Sequence, residues 1–180
     1  MKADYADYFK IINDISWQSA DVFDFSSCLE PSWLLELGSL SRLFSQHCQS
    51  LSADVIQNTQ IDASQLTDFQ REMLGNEACL LREVILAADD QPWLLGSTLI
   101  PLSSLSDAQF DLAKQGSKPL GLTVFQAEQV KRNGLHLATK ATDLGLLAAR
   151  SSRLWMNDKP MLVTELFLPA SPIYRKDSLK

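Results

Sequence analysis

The sequence predicts an α+β fold in which a single domain is built around a central antiparallel β-sheet. Two stretches, 79–100 and 153–168, have apolar strand patterns on either side of a short polar turn, as in β-hairpins. Helical patterns lie between the hairpins without the regular strand–helix alternation of a parallel sheet. The 180 residues, of which 46% are hydrophobic and 21% charged, favour one domain with an ordinary hydrophobic core.

The first predicted elements are a leader and a broken helix. Residues 1–28 have mixed polarity and scattered aromatic side chains, so we expect a leader that is ordered only in part. A helix is predicted at 31–44, where apolar residues recur every three or four positions. These residues are Trp33, Leu37, Leu40 and Phe44. Gly38 has a low helix propensity and is expected to divide this helix into two short ones.

Shorter elements are predicted along the rest of the chain. In order, they are a strand at 53–60, a helix at 63–74, a hairpin with strands at 79–87 and 93–100, a helix that begins at Ser106 and ends at Gly116, a mixed segment at 124–147, and a hairpin with strands at 153–156 and 161–168. The hairpin turns are predicted at 89–92 and 157–160, which contain Asp, Asn and Pro. Ser106 and Gln109 form a capping box, which marks a helix start.

Composition excludes several classes of function. A formal net charge of −6 argues against nucleic acid as the main partner, since phosphate binding needs clustered cations. No apolar run is long enough for membrane insertion, and the N-terminus lacks the apolar core of a signal peptide. Three widely spaced cysteines indicate reduced thiols in the cytoplasm. Two histidines without ligand spacing predict no metal.

Glu165 is the residue that most strongly suggests a site. It lies within the apolar strand 161–168, where alternation places it on one face with Met161, Val163 and Phe167. A carboxylate buried there needs a cation or hydrogen-bond donors. Arg82 lies in a comparable apolar context in the earlier hairpin. The two residues are compatible with a structural ion pair, and equally with a pocket that holds a ligand between them.

A second pair of cations lies at the start of the last hairpin. Arg150 and Arg153 flank two serines, a pattern that is more typical of a solvated strand edge but that could also steer an anion. From the residues alone, the prediction therefore stops at a small α+β protein with a candidate anion pocket.

Several ordered sequence blocks resemble bacterial chorismate pyruvate-lyase. They are LREV at 81–84, QPWLLG at 91–96, PLG at 119–121, RSSR at 150–153 and KPMLVTELFLPASP at 159–172. The similarity runs from about residue 33 to residue 174 and is densest after residue 80. It implies a single domain at 29–174, in which helices close over a buried ligand pocket, followed by a tail at 175–180.

The resemblance also implies an activity and a set of site residues. The activity is the conversion of chorismate to 4-hydroxybenzoate and pyruvate without a cofactor, the first step toward ubiquinone. The positions that match the family pattern imply that Arg82 grips the ring carboxylate, that backbone N–H groups of Leu40 and Leu120 assist it, and that Glu165 meets the ring hydroxyl. Arg82 and Glu165 are the catalytic candidates, in a protein expected to be a monomer.

Two questions stay open at the level of sequence. Glu165 could remove the ring proton as a base, or it could only orient a substrate that transfers the hydrogen internally. The chain could also be a non-catalytic module that binds small acids, since effector domains of some bacterial transcription regulators are similar in fold. Such regulators carry a basic DNA-binding domain upstream, whereas the roughly 30 residues before position 31 are not basic.

Overall fold

Seven strands form one antiparallel sheet among residues 5–25, 29–105 and 130–174, which are the residues that the computed structural model describes. The strands are β1 (Gln18–Ser19), β2 (Leu51–Ile61), β3 (Cys79–Ala88), β4 (Gln91–Pro101), β5 (Val130–Thr142), β6 (Gly145–Met156) and β7 (Lys159–Phe167). Their order across the sheet is β1-β5-β6-β7-β4-β3-β2. This arrangement confirms the predicted α+β class and places the strand that carries Glu165 at the centre of the sheet.

Four short helices accompany the sheet in the described residues. They are α1 (Ala6–Asp14), α2 (Pro31–Leu34), α3 (Leu40–Ser45) and α4 (Asp68–Leu74), with 3-10 turns at Ala63–Gln65 and Leu102–Leu105. The predicted break at Gly38 is confirmed. The continuous helix predicted at 63–74 is wrong, because Thr67 and Gln70 exchange backbone and side-chain hydrogen bonds that start a new helix. None of the described helices is long and apolar enough to cross a membrane.

The two predicted hairpins are confirmed, but their turns are tighter than expected. Each turn has two residues, Asp89-Asp90 in one and Asn157-Asp158 in the other, and all four have positive φ between 48° and 64°. Both central residues of a type I′ turn adopt this conformation, which matches the twist of the flanking strands. The predicted four-residue turns are therefore wrong, and Pro92 and Pro160 belong to strands.

The mixed segment predicted at 124–147 becomes most of a third hairpin where the structure describes it. β5 and β6 pair from Val130↔Met156 to Thr142↔Gly145, with a bulge between Asn133 and His136. A bulge interrupts the two-residue alternation of a strand, which is why the sequence pattern is irregular there. The predicted helix from Ser106 to Gly116 lies outside the described residues.

The sheet packs on both faces. On the front face, which carries Glu165, apolar side chains of α2 and α3 pack against β3, β4 and β7; they are Trp33, Leu34, Phe44, Leu86, Leu94 and Phe167. On the back face, Ile12 of α1 and Ile15 pack against Ile85, Leu95 and Leu166. Met73 of α4 extends this layer over Leu99 and Leu162. The two layers leave β7 buried from both sides.

Candidate active site

A cavity lies on the front face between the sheet and α3. Its volume is about 50 Å³. The described residues that line it are Ser39, Leu40, Ser41, Val84, Leu86, Leu94, Gly96, Thr98, Arg132, Leu154, Val163 and Glu165. Most of these side chains are apolar, so the two charged groups dominate the chemistry of the wall. Such a site suits a small, mainly apolar ligand with a few polar groups.

Glu165 forms a buried ion pair in the wall of this cavity. The residue is only 7% exposed, and its partner is Arg150, which is fully buried directly opposite on β6. Arg150 Nε donates to Glu165 Oε2 at 2.5 Å, and Arg150 Nη1 donates to Glu36 O at 2.5 Å and to Leu34 O at 3.5 Å. The structural ion pair considered between Arg82 and Glu165 is therefore wrong, because the cation that pairs with Glu165 is Arg150. The solvated edge considered for Arg150 is wrong too.

The register of the last hairpin explains this correction. With a turn of two residues, Met156 pairs with Lys159, and the same register places Arg150 opposite Glu165. Cross-strand partners on one face lie close enough to interact directly. A turn of four residues at 157–160 would instead pair Met156 with Met161, and the same register would place Arg150 opposite Phe167 rather than Glu165.

Arg82 lies on the same face of the sheet as Glu165, two strands away. It pairs with Thr98, whereas its neighbour Val84 pairs with Gly96, and Gly96 in turn pairs with Glu165. Adjacent strands are about 4.8 Å apart, so the two charged positions are separated by roughly 10 Å across the sheet. No side chain rises between them in the row that contains Gly96. Gly96 therefore adds no side chain to this part of the cavity wall.

Burial changes the electrostatics of Arg82. Its side chain is among the largest fully buried ones, with the residue 1% exposed, and this desolvation lowers its pKa from the usual value. An arginine nevertheless remains protonated at neutral pH. A buried guanidinium on this face is a strong site for a carboxylate, since it offers a planar fork of donors.

The other two predicted site residues have different outcomes. Leu40 is the first residue of α3, is 3% exposed and lines the same cavity as Glu165. Ser39 caps this helix by accepting a hydrogen bond from Arg42 N at 3.2 Å, which fixes the backbone around Leu40. Leu120 lies outside the described residues. The structure thus brings Leu40 and Glu165 together, with Arg82 on the adjoining part of the face.

Arg132 is a cavity residue that the sequence did not reveal. It belongs to β5 and its guanidinium is held at three points: Nη1 donates to Ser152 Oγ at 2.6 Å, Nε to Leu37 O at 3.2 Å, and Nη2 to Gly38 O at 3.3 Å. Only the hairpin register of β5 and β6 could have indicated its position, and the bulge in β5 obscures that register.

The environment of Arg132 combines burial with nearby charges. Burial lowers its pKa to about 10, while Glu165 and Glu36 favour its charged form and Arg150 opposes it. Arg132 therefore stays a cation at neutral pH, within electrostatic range of the Arg150–Glu165 pair. Among the described residues, no group of three or more potential ligands could hold a metal ion.

The fold and the cavity together define a class, namely a small α+β protein with a cavity on the front face of its sheet that Arg132 and Glu165 line. The chain belongs to the chorismate lyase family, because the model of that family matches residues 11–179. A protein named probable chorismate pyruvate-lyase from Vibrio vulnificus (strain YJ016) is 50% identical over 172 residues, which are 96% of each chain. A similarly named protein of Aliivibrio fischeri is 51% identical over 93% of each chain.

A less similar relative has the same name, and a solved structure has a similar fold. The chorismate pyruvate-lyase of Hamiltonella defensa is 38% identical over 91% of each chain. Among solved structures, the effector domain of PhnF from Mycobacterium smegmatis has a TM-score of 0.51 at 13% identity, covering 74% of this chain and 90% of that chain. At that level of identity the likeness concerns the fold alone.

Proposed function

We propose that this protein is a lyase that converts chorismate to 4-hydroxybenzoate and pyruvate, in the first step toward ubiquinone. Its relatives carry the name chorismate pyruvate-lyase at about half identity over nearly the whole chain. The observation that carries the proposal in the structure is the buried carboxylate of Glu165, which lies in the wall of a cavity on the same face as buried Arg82.

The polar groups of this face match the two ends of the proposed substrate ring. Arg82 binds the carboxylate on C1, assisted by the backbone N–H groups of Leu40 and Leu120. Glu165 accepts a hydrogen bond from the hydroxyl on C4, at the opposite end of the ring. Its Oε2 is already held by Arg150, so Oε1 is the oxygen that faces the ligand. The apolar lining contributed by Val84, Leu94 and Val163 then covers the ring faces.

The reaction needs little chemistry from the protein. The C4–H bond and the C3–O bond of chorismate break, the C–H electron pair forms the last double bond of the aromatic ring, and the ether oxygen leaves as the enol form of pyruvate. Aromatisation provides the driving force, so the site acts mainly by orientation and by stabilising charge. No cofactor is required. We also propose that the protein acts as a monomer in the cytoplasm, where Cys48 and Cys79 stay free thiols.

The decisive experiment is to incubate purified protein with chorismate and to follow pyruvate release together with the absorbance of 4-hydroxybenzoate. We expect both products in equal amounts, well above the spontaneous background. Absence of pyruvate would overturn the lyase proposal. Binding of 4-hydroxybenzoate without turnover would instead support a non-catalytic module for small acids.

Arg82→Ala tests the carboxylate end of the site. The variant leaves the ligand carboxylate without its charged partner, a loss of about 2–5 kcal/mol, so we expect KM and the Kd of 4-hydroxybenzoate to rise at least roughly 30-fold. Lys140→Ala, which removes a partly exposed cation of β5, is the control and should leave both values unchanged. An Arg82→Ala variant with normal 4-hydroxybenzoate affinity would contradict the assigned role.

Glu165→Gln separates the two routes for the C4 proton. If Glu165 is the base, kcat should fall by about 10²–10⁴-fold, the usual contribution of general base catalysis. If Glu165 only orients the hydroxyl, the amide keeps a hydrogen-bond acceptor and kcat should stay within about tenfold of the original. The measurement is single-turnover pyruvate release.

A further inference from the structure

Arg132 is a half-buried cation to which the proposed function gives no role. Its guanidinium lines the cavity that Glu165 also lines, and its three hydrogen bonds to Ser152 Oγ, Leu37 O and Gly38 O fix its orientation. A fixed cation in a largely apolar wall is electrostatically strong, because little water screens it. Such a group is suited to a second anionic centre of the ligand.

The order of charges across the front face is informative. Arg82 is on β3, Glu165 on β7, Arg150 on β6 and Arg132 on β5, and these strands follow one another in this order with β4 after β3. Arg150 is in the row of Glu165, whereas Arg132 pairs with Leu154, which pairs with Met161, four residues before Glu165 on β7. Arg150 is committed to Glu165 and to backbone carbonyls, whereas Arg132 borders the cavity.

The structure of chorismate places its second carboxylate beyond Glu165, on the side of β6 and β5. With the C1 carboxylate at Arg82 and the C4 hydroxyl at Glu165, the enolpyruvyl ether on C3 is adjacent to C4 and thus on the Glu165 side. Its carboxylate extends beyond the ring. The strands that lie beyond Glu165 in that direction are β6 and β5, which carry Arg150 and Arg132.

The charge balance agrees with this placement. In and beside the cavity wall, the described cations are Arg82, Arg132 and Arg150, and the nearby carboxylates are Glu165 and Glu36. Positive charge therefore exceeds negative charge by one. This local excess favours an anionic substrate, whereas the chain as a whole has a net charge of −6.

We propose that Arg132 binds the enolpyruvyl carboxylate of chorismate and stabilises the leaving pyruvate enolate, an inference that rests on the proposed function. When the C3–O bond breaks, its electron pair goes to the ether oxygen, next to the carboxylate that Arg132 holds. Negative charge thus grows near the guanidinium in the transition state. The proton lost from C4 ends on the methylene carbon as the enolate becomes pyruvate.

This role makes a distinctive prediction, because 4-hydroxybenzoate has no enolpyruvyl group. Arg132→Gln should reduce kcat/KM for chorismate roughly 100-fold, as expected for the loss of a partly buried charge partner. The Kd of 4-hydroxybenzoate should change by less than about threefold. Arg132→Lys keeps the charge and should recover part of the activity. Arg82→Ala, by contrast, should weaken both ligands.

The alternative is a purely structural role through the carbonyls of Leu37 and Gly38. In that case Arg132→Gln would displace the segment before Leu40 and would weaken 4-hydroxybenzoate as much as chorismate. Equal losses would overturn the inference, as would no loss for chorismate. Lys131→Gln is the matched control, since Lys131 precedes Arg132 on β5 but is exposed and does not line the cavity, and it should behave like the original protein.

The experiment distinguishes this inference from the proposed function. If the original protein releases no pyruvate, the lyase proposal fails, and calorimetric titration of chorismate and 4-hydroxybenzoate into both proteins still tests Arg132. Selective weakening of chorismate would support the inference, and parallel weakening would reject it. Should Arg132→Gln not fold, Arg132→Lys provides the same comparison with a smaller expected loss in kcat/KM.

Discussion

At the scale of single residues, the Arg150–Glu165 pair is the most consequential contact. Arg150 is fully buried and Glu165 nearly so. Removing one member of a buried pair leaves an uncompensated charge, which typically costs about 3–5 kcal/mol. We therefore expect Arg150→Met to lower the free energy of unfolding by that amount, as measured by urea denaturation.

A double variant provides the control for this prediction. Arg150→Met combined with Glu165→Gln has no buried carboxylate left without a cation, so it should be more stable than Arg150→Met alone. A double variant that is as unstable as the single one would show that Arg150 acts through its contacts with the carbonyls of Leu34 and Glu36 rather than through Glu165.

Glu83 makes a testable contribution to the pH dependence of stability. Burial raises its pKa from 4.5 to about 6. The folded protein thus holds this proton more tightly than the unfolded chain. The stabilisation is fully present below about pH 4.5 and is lost as the pH rises through about 6, a change of roughly 2 kcal/mol.

Glu83→Gln should remove this dependence. At pH 7.5 the variant is expected to be more stable than the original by up to about 2 kcal/mol, and at pH 4 the difference should be small. Urea denaturation at the two pH values measures it. Asp54→Asn, an exposed acid on the adjacent strand β2, is the control and should show no such difference. A gain at pH 4 as large as at pH 7.5 would contradict the assignment.

The sequence was informative about Glu165 and uninformative about its partner. An ionisable group in an apolar run predicts burial with compensation, and this was correct. The identity of the compensating cation depends on strand register, which a shift of two residues in the turn changes. Arg150 lies in a polar-looking stretch, RSSR, so composition alone suggested exposure. Its burial follows from the position of β6 next to β7.

At the scale of elements, the two tight turns can be improved. Asp90 and Asp158 are the second residues of type I′ turns and have φ of 64° and 61°. Glycine adopts this conformation without a steric penalty, so Asp90→Gly and Asp158→Gly should each stabilise the fold by about 0.5–1 kcal/mol. Thermal unfolding measures the effect.

Asp89 provides the matched contrast in the same turn. Its φ is also positive, but its carboxylate accepts hydrogen bonds from Gln49 N and Ser50 N at 2.8–3.2 Å. Asp89→Gly relieves the backbone and removes these contacts, so we expect a net destabilisation. Equal stabilisation by Asp89→Gly and Asp90→Gly would mean that the contacts with the α3–β2 segment contribute nothing.

Hairpins are the elements that sequence predicts best, because their strands are joined by a local turn. The pairings β4–β7 and β1–β5 join strands that are far apart in the chain, and no local pattern specifies them. The bulge in β5 adds a second difficulty, since it shifts the inward and outward alternation within a single strand. The cavity is formed by the non-local pairings, so its full lining was not predictable.

At the scale of the whole molecule, the front face of the sheet carries the cavity and the back face is packed against α1. The cavity is on the front face, while α1 covers the back face through Ile12, which is 5% exposed. Ile12→Ala should destabilise the protein by about 2–4 kcal/mol through loss of buried apolar surface. Its kcat/KM for chorismate should remain unchanged at temperatures where the variant is folded. A fall in activity without unfolding would show that the back face influences the site.

The size of the cavity bears on how a ligand is admitted. At about 50 Å³ it is smaller than the cavities of about 150 Å³ that hold a benzene ring in proteins, so a ring-sized ligand requires the lining to move apart. The segment that joins α2 to α3 is one border of the cavity. Arg150 and Arg132 attach this segment to the sheet through the carbonyls of Glu36, Leu37 and Gly38.

The side chain of Arg150 therefore donates hydrogen bonds both to the carboxylate of Glu165 and to the segment between α2 and α3. Thermodynamic linkage makes their relation reciprocal. If a ligand at Glu165 changes how strongly the segment is held to the sheet by some factor, then holding the segment in place changes ligand affinity by the same factor. Substitutions at positions of this segment that do not line the cavity should therefore change ligand affinity at Glu165 through the shared guanidinium of Arg150.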